Sequence, residues 1–292
     1  MPHKETLQQF TIGERLDRTL VTAFPQYSRS VLEKIIATDL VTVNGMVARS
    51  SYKTRFGDVI VVDLHMLRQP VPDISLTVLY EDADIIVIDK PSGVLTHAKG
   101  TLHNEATVAT FIKSRLNDSS DWRATNRAGI VHRLDRATSG LIVCAKNQIT
   151  QTFLQKQFAD RKIKKLYIAA IAGTLEAPEG MIDIPIERNP KKPSTFRAGP
   201  NGKSAQTHFK TVDVQEKCSL VELRPITGRT HQLRVHLQYL GHPIIGDTVY
   251  GGAPYGRLCL HAASIELTLP SKERKVFTSN LPREIKDAWK AL

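Results

Sequence analysis

Residues 129–141 read Gly-Ile-Val-His-Arg-Leu-Asp-Arg-Ala-Thr-Ser-Gly-Leu, and this stretch sets one carboxylate, that of Asp135, between Arg133 and Arg136. Apolar residues flank the polar segment on both sides and predict strands, so the segment itself is expected to be a loop. An aspartate in a loop is most often a turn or capping residue. The segment alone therefore leaves both a structural and a catalytic role open for Asp135.

The chain around this loop mixes short strands and helices without a repeated strand–helix–strand rhythm. Periodicity predicts strands over residues 85–88, 141–145, 167–171, 205–212 and 220–223, and helices over 105–116, 149–160 and 230–240. Gly241 is expected to end the last helix as its C′ residue. The pattern predicts an α+β domain with a mixed or mostly antiparallel sheet over residues 76–292.

A smaller module precedes this domain. Residues 11–65 predict two amphipathic helices followed by a β portion that contains an Asn44-Gly45 turn, and Ser30 with Glu33 matches a capping box at the second helix. Residues 66–75 include two closely spaced prolines, Pro70 and Pro72, that do not fit inside a regular element. They are expected to form a linker between the two domains.

Composition narrows the class of protein. The 292 residues carry 40 Lys and Arg against 29 Asp and Glu, a net charge of +11 that favours a polyanionic partner but also fits a merely basic soluble protein. No stretch approaches the roughly 20 apolar residues of a membrane helix, and the N-terminus has no apolar signal segment. The three cysteines are far apart, which disfavours disulfides and CxxC metal sites. A cytoplasmic protein without a membrane partner is expected.

The small module resembles the S4 RNA-binding domain. The likeness rests on the segments Arg15-Leu16-Asp17, Ser28-Arg29-Ser30, Val43-Asn44-Gly45 and Gly57-Asp58. A basic surface on this module would bind RNA, and its candidate residues are Arg29, Lys34, Arg49, Lys53 and Arg55. The alternative interpretation is a solvated helix face beside an edge strand decorated with lysine.

The larger domain resembles the RluA family of pseudouridine synthases. The run His-Arg-Leu-Asp at 132–135, followed by Thr-Ser-Gly, is the family signature, and further family blocks occur in order at residues 90–93, 165–167, 225–236, 241–247 and 260–262. With the S4-like module in front, the arrangement is similar to the RluC and RluD branch. The resemblance implies an isomerase that converts uridine to pseudouridine in large-subunit (23S-type) ribosomal RNA, free or in an assembling large subunit.

The same resemblance assigns roles to three residues. Asp135 is implied to be the essential carboxylate, either as a nucleophile at C1′ or as a base toward the C2′ proton, and both roles need its ionised form. Arg234 is the candidate guanidinium that pairs with Asp135 and favours that form. Tyr167 is implied to stack on the target base and to help remove the C5 proton. Outside the family context, Tyr167 would be read as a core aromatic and Arg234 as a solvent or phosphate contact.

Four more residues are implied to handle the RNA. Arg133 is expected to enter the helix and stabilise a flipped-out nucleotide, because the reacting bond is inaccessible in a stacked helix. His132 lies in the family block at 132–135 and Arg229 in the block at 225–236. Leu260 is a candidate apolar wall of the pocket. Without the resemblance, Arg133 is an ordinary surface arginine and Leu260 an ordinary core residue.

The sequence lacks the motifs of metal-dependent and nucleotide-dependent enzymes. Several histidines (His231, His236, His242 and His261) raise the question of zinc, but no HExxH motif or cysteine pair accompanies them, so no metal is expected. No phosphate loop or dinucleotide motif is present, and no cofactor is expected. The alternatives kept open are a tRNA pseudouridine synthase, a catalytically silent S4-containing rRNA-binding or assembly factor, and an RNA hydrolase. A monomer is expected.

Overall fold

The computed structural model describes residues 4–68, 71–98, 105–117, 122 and 127–291. The described residues fall into two compact units. The first runs to Asp73 and includes Ala98, Glu105 and Ala106, and the second contains the other described residues from Ile74 onward. Gln69 and Pro70 of the predicted linker lie outside the described residues.

The first unit is a four-stranded antiparallel sheet covered by two helices. Its elements are β1 (Lys4–Leu7), α1 (Leu16–Ala23), α2 (Arg29–Ala37), β2 (Val41–Val43), β3 (Met46–Val47), β4 (Ile60–Asp63) and α3 (His65–Arg68). The strand order is β1-β4-β2-β3. The apolar faces of α1 and α2 bury Leu16, Leu20, Leu32 and Ile35 against Val41 and Ile60, which closes the core of this unit.

Two local features of this unit differ from the sequence prediction. The sheet begins with β1, upstream of the predicted start at residue 11, because β1 is held by backbone pairing with β4 rather than by an apolar pattern of its own. The predicted capping box is wrong: helix α2 follows Ser28, and Glu33 accepts a hydrogen bond from Arg29 instead of reaching back to the helix start. The Asn44-Gly45 turn, with φ of 51° and 80°, follows the predicted geometry.

The second unit is an α+β domain built on a nine-stranded sheet. Its strands are β5 (Thr77–Glu81), β6 (Ile85–Lys90), β7 (Ser139–Ala145), β8 (Lys164–Ala172), β9 (Glu179–Asp183), β10 (Ile186–Arg188), β11 (Phe196–Ala198), β12 (Gln206–Val214), β13 (Cys218–Pro225), β14 (Leu260–Thr268) and β15 (Arg274–Thr278). Its helices are α4 (Val108–Ile112, continued by a 3-10 turn at Lys113–Arg115), α5 (Gln148–Ala159), α6 (Gln232–Tyr239) and α7 (Arg283–Ala291).

The large sheet is mixed, as predicted. Its order is β5-β6-β7-β14-β8-β13-β12-β9, with β15 paired to β14, and β10 and β11 form a separate two-stranded sheet. Every neighbouring pair is antiparallel except β7 and β14, which run parallel at His261 and Ala262. Strand β7 is buried at all seven positions because apolar clusters pack on both faces of the sheet.

A glycine makes the parallel contact possible. Gly140 in β7 has φ of 111°, and a Cβ added there would lie 2.3 Å from the carbonyl oxygen of Ala262 in β14. Only a residue without a side chain tolerates both this backbone conformation and this approach. Gly140 therefore allows the two central strands to meet directly behind the loop that carries Asp135.

Helix α6 is buried on two sides, which the sequence pattern did not predict. One side packs on the main sheet through Leu233 and Leu237, and the opposite side packs through Val235 against a second cluster that includes Tyr250. Arg234, near the start of the helix, is therefore buried as well. Among the described helices, none has the length and apolar content needed to cross a membrane.

Candidate active site

Asp135 lies in a tight turn immediately before β7. The backbone N–H of Thr138 donates to the Asp135 carbonyl oxygen at 3.1 Å and closes the turn. The segment after β6 stabilises this turn through hydrogen bonds. Gly93 N–H donates to the Arg136 carbonyl at 2.8 Å. The Thr96 hydroxyl accepts from Leu134 N–H and donates to the Leu134 carbonyl. The backbone on both sides of Asp135 is thus fixed by neighbouring chain.

A buried lysine adds to this support. The Lys90 ammonium donates to the carbonyl oxygens of Pro91 and Val94 at 2.9 Å and of Arg136 at 3.3 Å. Burial lowers the pKa of Lys90 to about 8, and the nearby charge of Asp135 opposes that shift. Three carbonyl acceptors compensate the ammonium for the loss of water, and one of them belongs to the loop of Asp135.

Two cationic or polar side chains face the Asp135 carboxylate. Arg234 Nη1 lies 3.8 Å and His231 Nε2 3.9 Å from Asp135 Oδ2, and the carboxylate side chain is 19% exposed. The ion pair of Arg234 with Asp135 that the resemblance implied is present at this distance, but the short hydrogen bonds of Arg234 go elsewhere. Its Nε and Nη2 each donate to the buried carboxylate of Asp247 at 2.7 Å.

Asp247 therefore orients the guanidinium that faces Asp135. Burial by itself lowers the pKa of Arg234, but the hydrogen bonds and charge of Asp247, with a further contribution from Asp135, outweigh it and raise the pKa. The guanidinium also lies 4.8 Å from the ring centre of Tyr250. Sequence reasoning missed this role, although Asp247 ends one of the family blocks that the sequence contains.

His231 is held in an unusual backbone conformation. It precedes helix α6 with φ of 57°, a left-handed geometry that residues other than glycine rarely adopt. Its Nδ1 lies 2.7 Å from the Tyr250 hydroxyl oxygen, which in turn accepts the N–H of Phe196 at 3.0 Å. Because that oxygen accepts from Phe196, the hydroxyl is free to donate to Nδ1, and His231 then directs an Nε2–H toward Asp135.

Tyr167 approaches the same carboxylate from strand β8. Burial raises the pKa of its phenol, and the negative charge of Asp135 raises that pKa further. The phenol therefore keeps its proton at neutral pH in the resting site. A role for Tyr167 in removing the C5 proton would require this hydroxyl proton to move to another acceptor first.

One cleft of about 600 Å³ collects these residues. Its lining includes Arg133, Asp135, Lys165, Tyr167, Arg229, His231, Arg234 and Leu260. All three residues predicted to be catalytic, and three of the four predicted to handle RNA, thus meet in one place. Arg229 donates from Nε to the carbonyl oxygen of Ser204 at 3.0 Å, and Arg133 is exposed.

His132 is not among the side chains that line that cleft, and its RNA-handling role stays a prediction. Its Nε2 accepts the backbone N–H of Val143 at 2.9 Å, and its ring stacks on Phe158 with 4.8 Å between centres. Burial, together with the charge of Lys165, lowers the pKa of His132 to about 3, so the ring is neutral. It anchors the start of the loop to β7.

In the first unit, Arg29 differs from the other predicted RNA contacts. Its guanidinium donates to the fully buried carboxylate of Asp17, which also accepts from Arg15. Burial would raise the pKa of Asp17, but these hydrogen bonds and charges lower it overall. Arg29 is therefore a structural partner of Asp17. The remaining predicted residues are exposed, namely Lys34, Arg49, Lys53 and Arg55.

Three other histidines of the second unit make separate structural contacts. His236 bonds to Thr207, His242 to the Ala172 carbonyl, and His261 to Ser139. Within the described ranges, no three His, Cys, Asp or Glu side chains are grouped so that they could hold a metal ion.

The chain resembles known proteins along most of its length. Residues 84–239 match the RNA pseudouridylate synthase family model and residues 14–60 match the S4 domain model. The ribosomal large subunit pseudouridine synthase D of Yersinia pestis is 35% identical over 285 residues, which are 91% of this chain and 86% of the relative. An uncharacterized RNA pseudouridine synthase of Aquifex aeolicus is 37% identical over 247 residues, 82% and 77% of the two chains.

A solved structure has the same fold. Human RNA pseudouridylate synthase domain containing 1 superposes with a TM-score of 0.59 at 26% identity, covering 75% of this chain and 89% of its own. The sequence relatives, the two family models and the fold all point to the same family. The chain accordingly belongs to the RNA pseudouridylate synthase family and combines that catalytic domain with an S4 domain.

Proposed function

We propose that this isomerase converts uridines of large-subunit ribosomal RNA to pseudouridine, with Asp135 as the essential carboxylate. The observation that carries the proposal is the convergence of Asp135, Tyr167 and Arg234 on one cleft. The reaction breaks the N1–C1′ bond, turns the base and joins C5 to C1′. Since no oxidation and no loss of a leaving group is involved, the side chains of the cleft suffice without a cofactor.

Asp135 must be ionised for this chemistry. As a nucleophile it would bond to C1′, and as a base it would take the C2′ proton. The guanidinium of Arg234 lies 3.8 Å from this carboxylate, and Asp247 keeps the guanidinium in place. Both roles also require the ribose to reach Asp135, so the target nucleotide leaves its stack. Arg133, exposed beside the cleft, is suited to fill the space that the nucleotide vacates.

The net charge, the S4 domain and the names of the relatives support an RNA partner. The net charge of +11 and the exposed basic residues of the S4 domain suit phosphate contacts. Relatives similar over most of the chain are named as enzymes of the ribosomal large subunit. We therefore propose that the chain works as a monomer in the cytoplasm on large-subunit rRNA, before or during subunit assembly.

A nucleotide-resolution map of pseudouridine tests this substrate. Total RNA from cells that lack the gene should lose signals confined to large-subunit rRNA, and expression of the intact chain should restore them. The purified protein should form the same signals in protein-free rRNA or in precursor subunits. Signals lost only from tRNA would replace the proposed substrate, and a map that does not change would favour a silent RNA-binding factor.

The S4 domain is expected to contribute RNA affinity through Lys53 and Arg55. Replacing both by Gln removes two exposed charges, so binding to rRNA should weaken by roughly tenfold, and the slope of log K against log salt should fall by about one per lost phosphate contact. Filter binding at several salt concentrations measures both quantities. The catalytic rate at saturating RNA should stay unchanged.

A matched pair in the second unit controls for net charge. Lys156 and Lys162 are exposed and both lie near Asp160, and their replacement by Gln removes the same number of charges. This control should change the affinity much less than the Lys53 and Arg55 variant. Equal losses in the two variants would mean that the S4 domain contributes only bulk charge.

A further inference from the structure

Lys165 is a cleft residue to which neither the family resemblance nor the sequence pattern gave a role. It lies on β8 two positions before Tyr167, and alternate residues of a strand share one face. Both side chains line the cleft of Asp135. The adjacent Lys164 points to the other face, where its ammonium lies 3.4 Å from Glu266 and is 76% exposed.

The charge of Lys165 is not balanced by a carboxylate. Among the described residues, no Asp or Glu oxygen lies within 4 Å of its ammonium, although the side chain is partly buried. Burial lowers its pKa to about 8, so the ammonium remains the main form at neutral pH. A partly buried cation without a counter-charge is unfavourable, and an anion that enters the cleft relieves that cost.

The other cations of the cleft are either held by hydrogen bonds to the protein or exposed. Arg234 is fixed by Asp247, and Arg229 donates to the Ser204 carbonyl. Arg133 is exposed, at the segment that precedes Asp135. Lys165 is thus the cation that lies beside Tyr167 in the cleft of Asp135.

The reaction creates an anion in that region. When the N1–C1′ bond breaks, its electron pair stays with the uracil ring and spreads over N1 and the two carbonyl oxygens. The ring must then remain in the cleft and turn, because C5 has to reach C1′. Preplaced donors aimed at developing charge in a water-poor site give the largest single contributions to catalysis.

We propose that Lys165 is a catalytic residue that donates a hydrogen bond to a carbonyl oxygen of the uracil ring and stabilises the uracil anion after the glycosidic bond breaks. This inference rests on the isomerase function proposed above. The electron pair of N1–C1′ goes to the ring, and C5 then supplies a pair to form the new bond with C1′. The C5 proton leaves to a base, and N1 takes up a proton from water, so the product is neutral and has the composition of the substrate. Lys165 keeps its own proton throughout.

Rate measurements on full-length variants test the proposal. With saturating rRNA in single turnover, Lys165→Met should react about 100-fold more slowly than wild type and bind RNA equally well. Lys165→Arg should keep most of the rate because it keeps a cationic donor. Lys164→Met, which removes a neighbouring charge outside the cleft, should react like wild type. Thermal unfolding of each variant checks that the fold is intact, and Lys165→Gln replaces Lys165→Met if the latter is unfolded.

A substrate whose base forms a more stable anion distinguishes this role of Lys165 from phosphate binding. RNA that carries 5-fluorouridine at the target site yields a more stable ring anion, because fluorine withdraws electrons. The deficit of Lys165→Met in consuming 5-fluorouridine should therefore be at least about tenfold smaller than its deficit on uridine.

Three results would overturn the role of Lys165. They are a wild-type rate in Lys165→Met, a loss that higher RNA concentration restores, and equal deficits on uridine and 5-fluorouridine. Failure of the wild-type protein to form pseudouridine would instead contradict the proposed function itself. The wild-type arm of the experiment therefore distinguishes the two failures.

Discussion

Replacing Asp135 by Asn is expected to reduce pseudouridine formation by about 10⁴-fold or more while RNA binding survives. The amide has nearly the shape of the carboxylate but no charge, so it can neither bond to C1′ nor take the C2′ proton. The fold should tolerate the change, because the turn is held through backbone groups and the side chain is not part of the core. Single-turnover assays of tritium release or nucleoside composition measure the loss.

Two controls accompany this variant. Asp135→Ala should be equally inactive, which excludes a special effect of the amide. Asp213→Asn, at an exposed position of the same unit, should keep the wild-type rate. A yield of pseudouridine like that of wild type from the Asp135→Asn protein would remove the proposed role of the carboxylate.

Replacing Asp247 by Ala should reduce both stability and activity. The change leaves the buried guanidinium of Arg234 without the two 2.7 Å hydrogen bonds that hold it, and breaking such a pair costs about 3–5 kcal/mol of unfolding free energy. The guanidinium would also lose its orientation toward Asp135, so the rate at saturating RNA should fall by about 100-fold or more. Denaturant unfolding and single-turnover rates measure the two effects.

A double variant separates stability from catalysis. Replacing Arg234 by Met and Asp247 by Leu together removes both buried charges, and such apolar replacements are often neutral or stabilising. This protein should recover much of the lost stability and remain inactive, because Asp135 has lost the guanidinium that faces it. Asp183→Ala, at an exposed position, provides the surface control. An Asp247→Ala protein with wild-type stability would contradict the structural role of the pair.

The sequence predicted the elements that have strong local signals. The two helices of the first unit, the Asn44-Gly45 turn and helix α5 follow from apolar periodicity and turn chemistry. The α+β class with a mixed sheet also follows, because strand and helix patterns alternate without a regular rhythm. The family blocks identified Asp135, Tyr167 and Arg234 before any geometry was available. Their roles in the reaction stay predictions.

What the sequence did not predict depends on contacts between distant segments. Strand β14 lies in the middle of the large sheet, yet it was recognised only through Leu260, because burial there is set by strands far away in the chain. The pairing of Arg234 with Asp247 joins a helix to a loop that follows it. The burial of helix α6 on two sides arises from the cluster around Tyr250. None of these has a local periodic signal.

The support behind Asp135 has a consequence for the choice of uridine. Since the backbone of its turn is already tied to Gly93, Thr96 and Lys90, the protein spends little free energy on assembling the reactive geometry when RNA arrives. Most of the free-energy cost of reaching the reactive geometry then comes from the nucleic acid, which must unpair and rotate a nucleotide outward. Uridines in bulges, hairpin tips or incompletely folded precursor regions would react soonest, and the order of modification along an rRNA would report how easily each site opens.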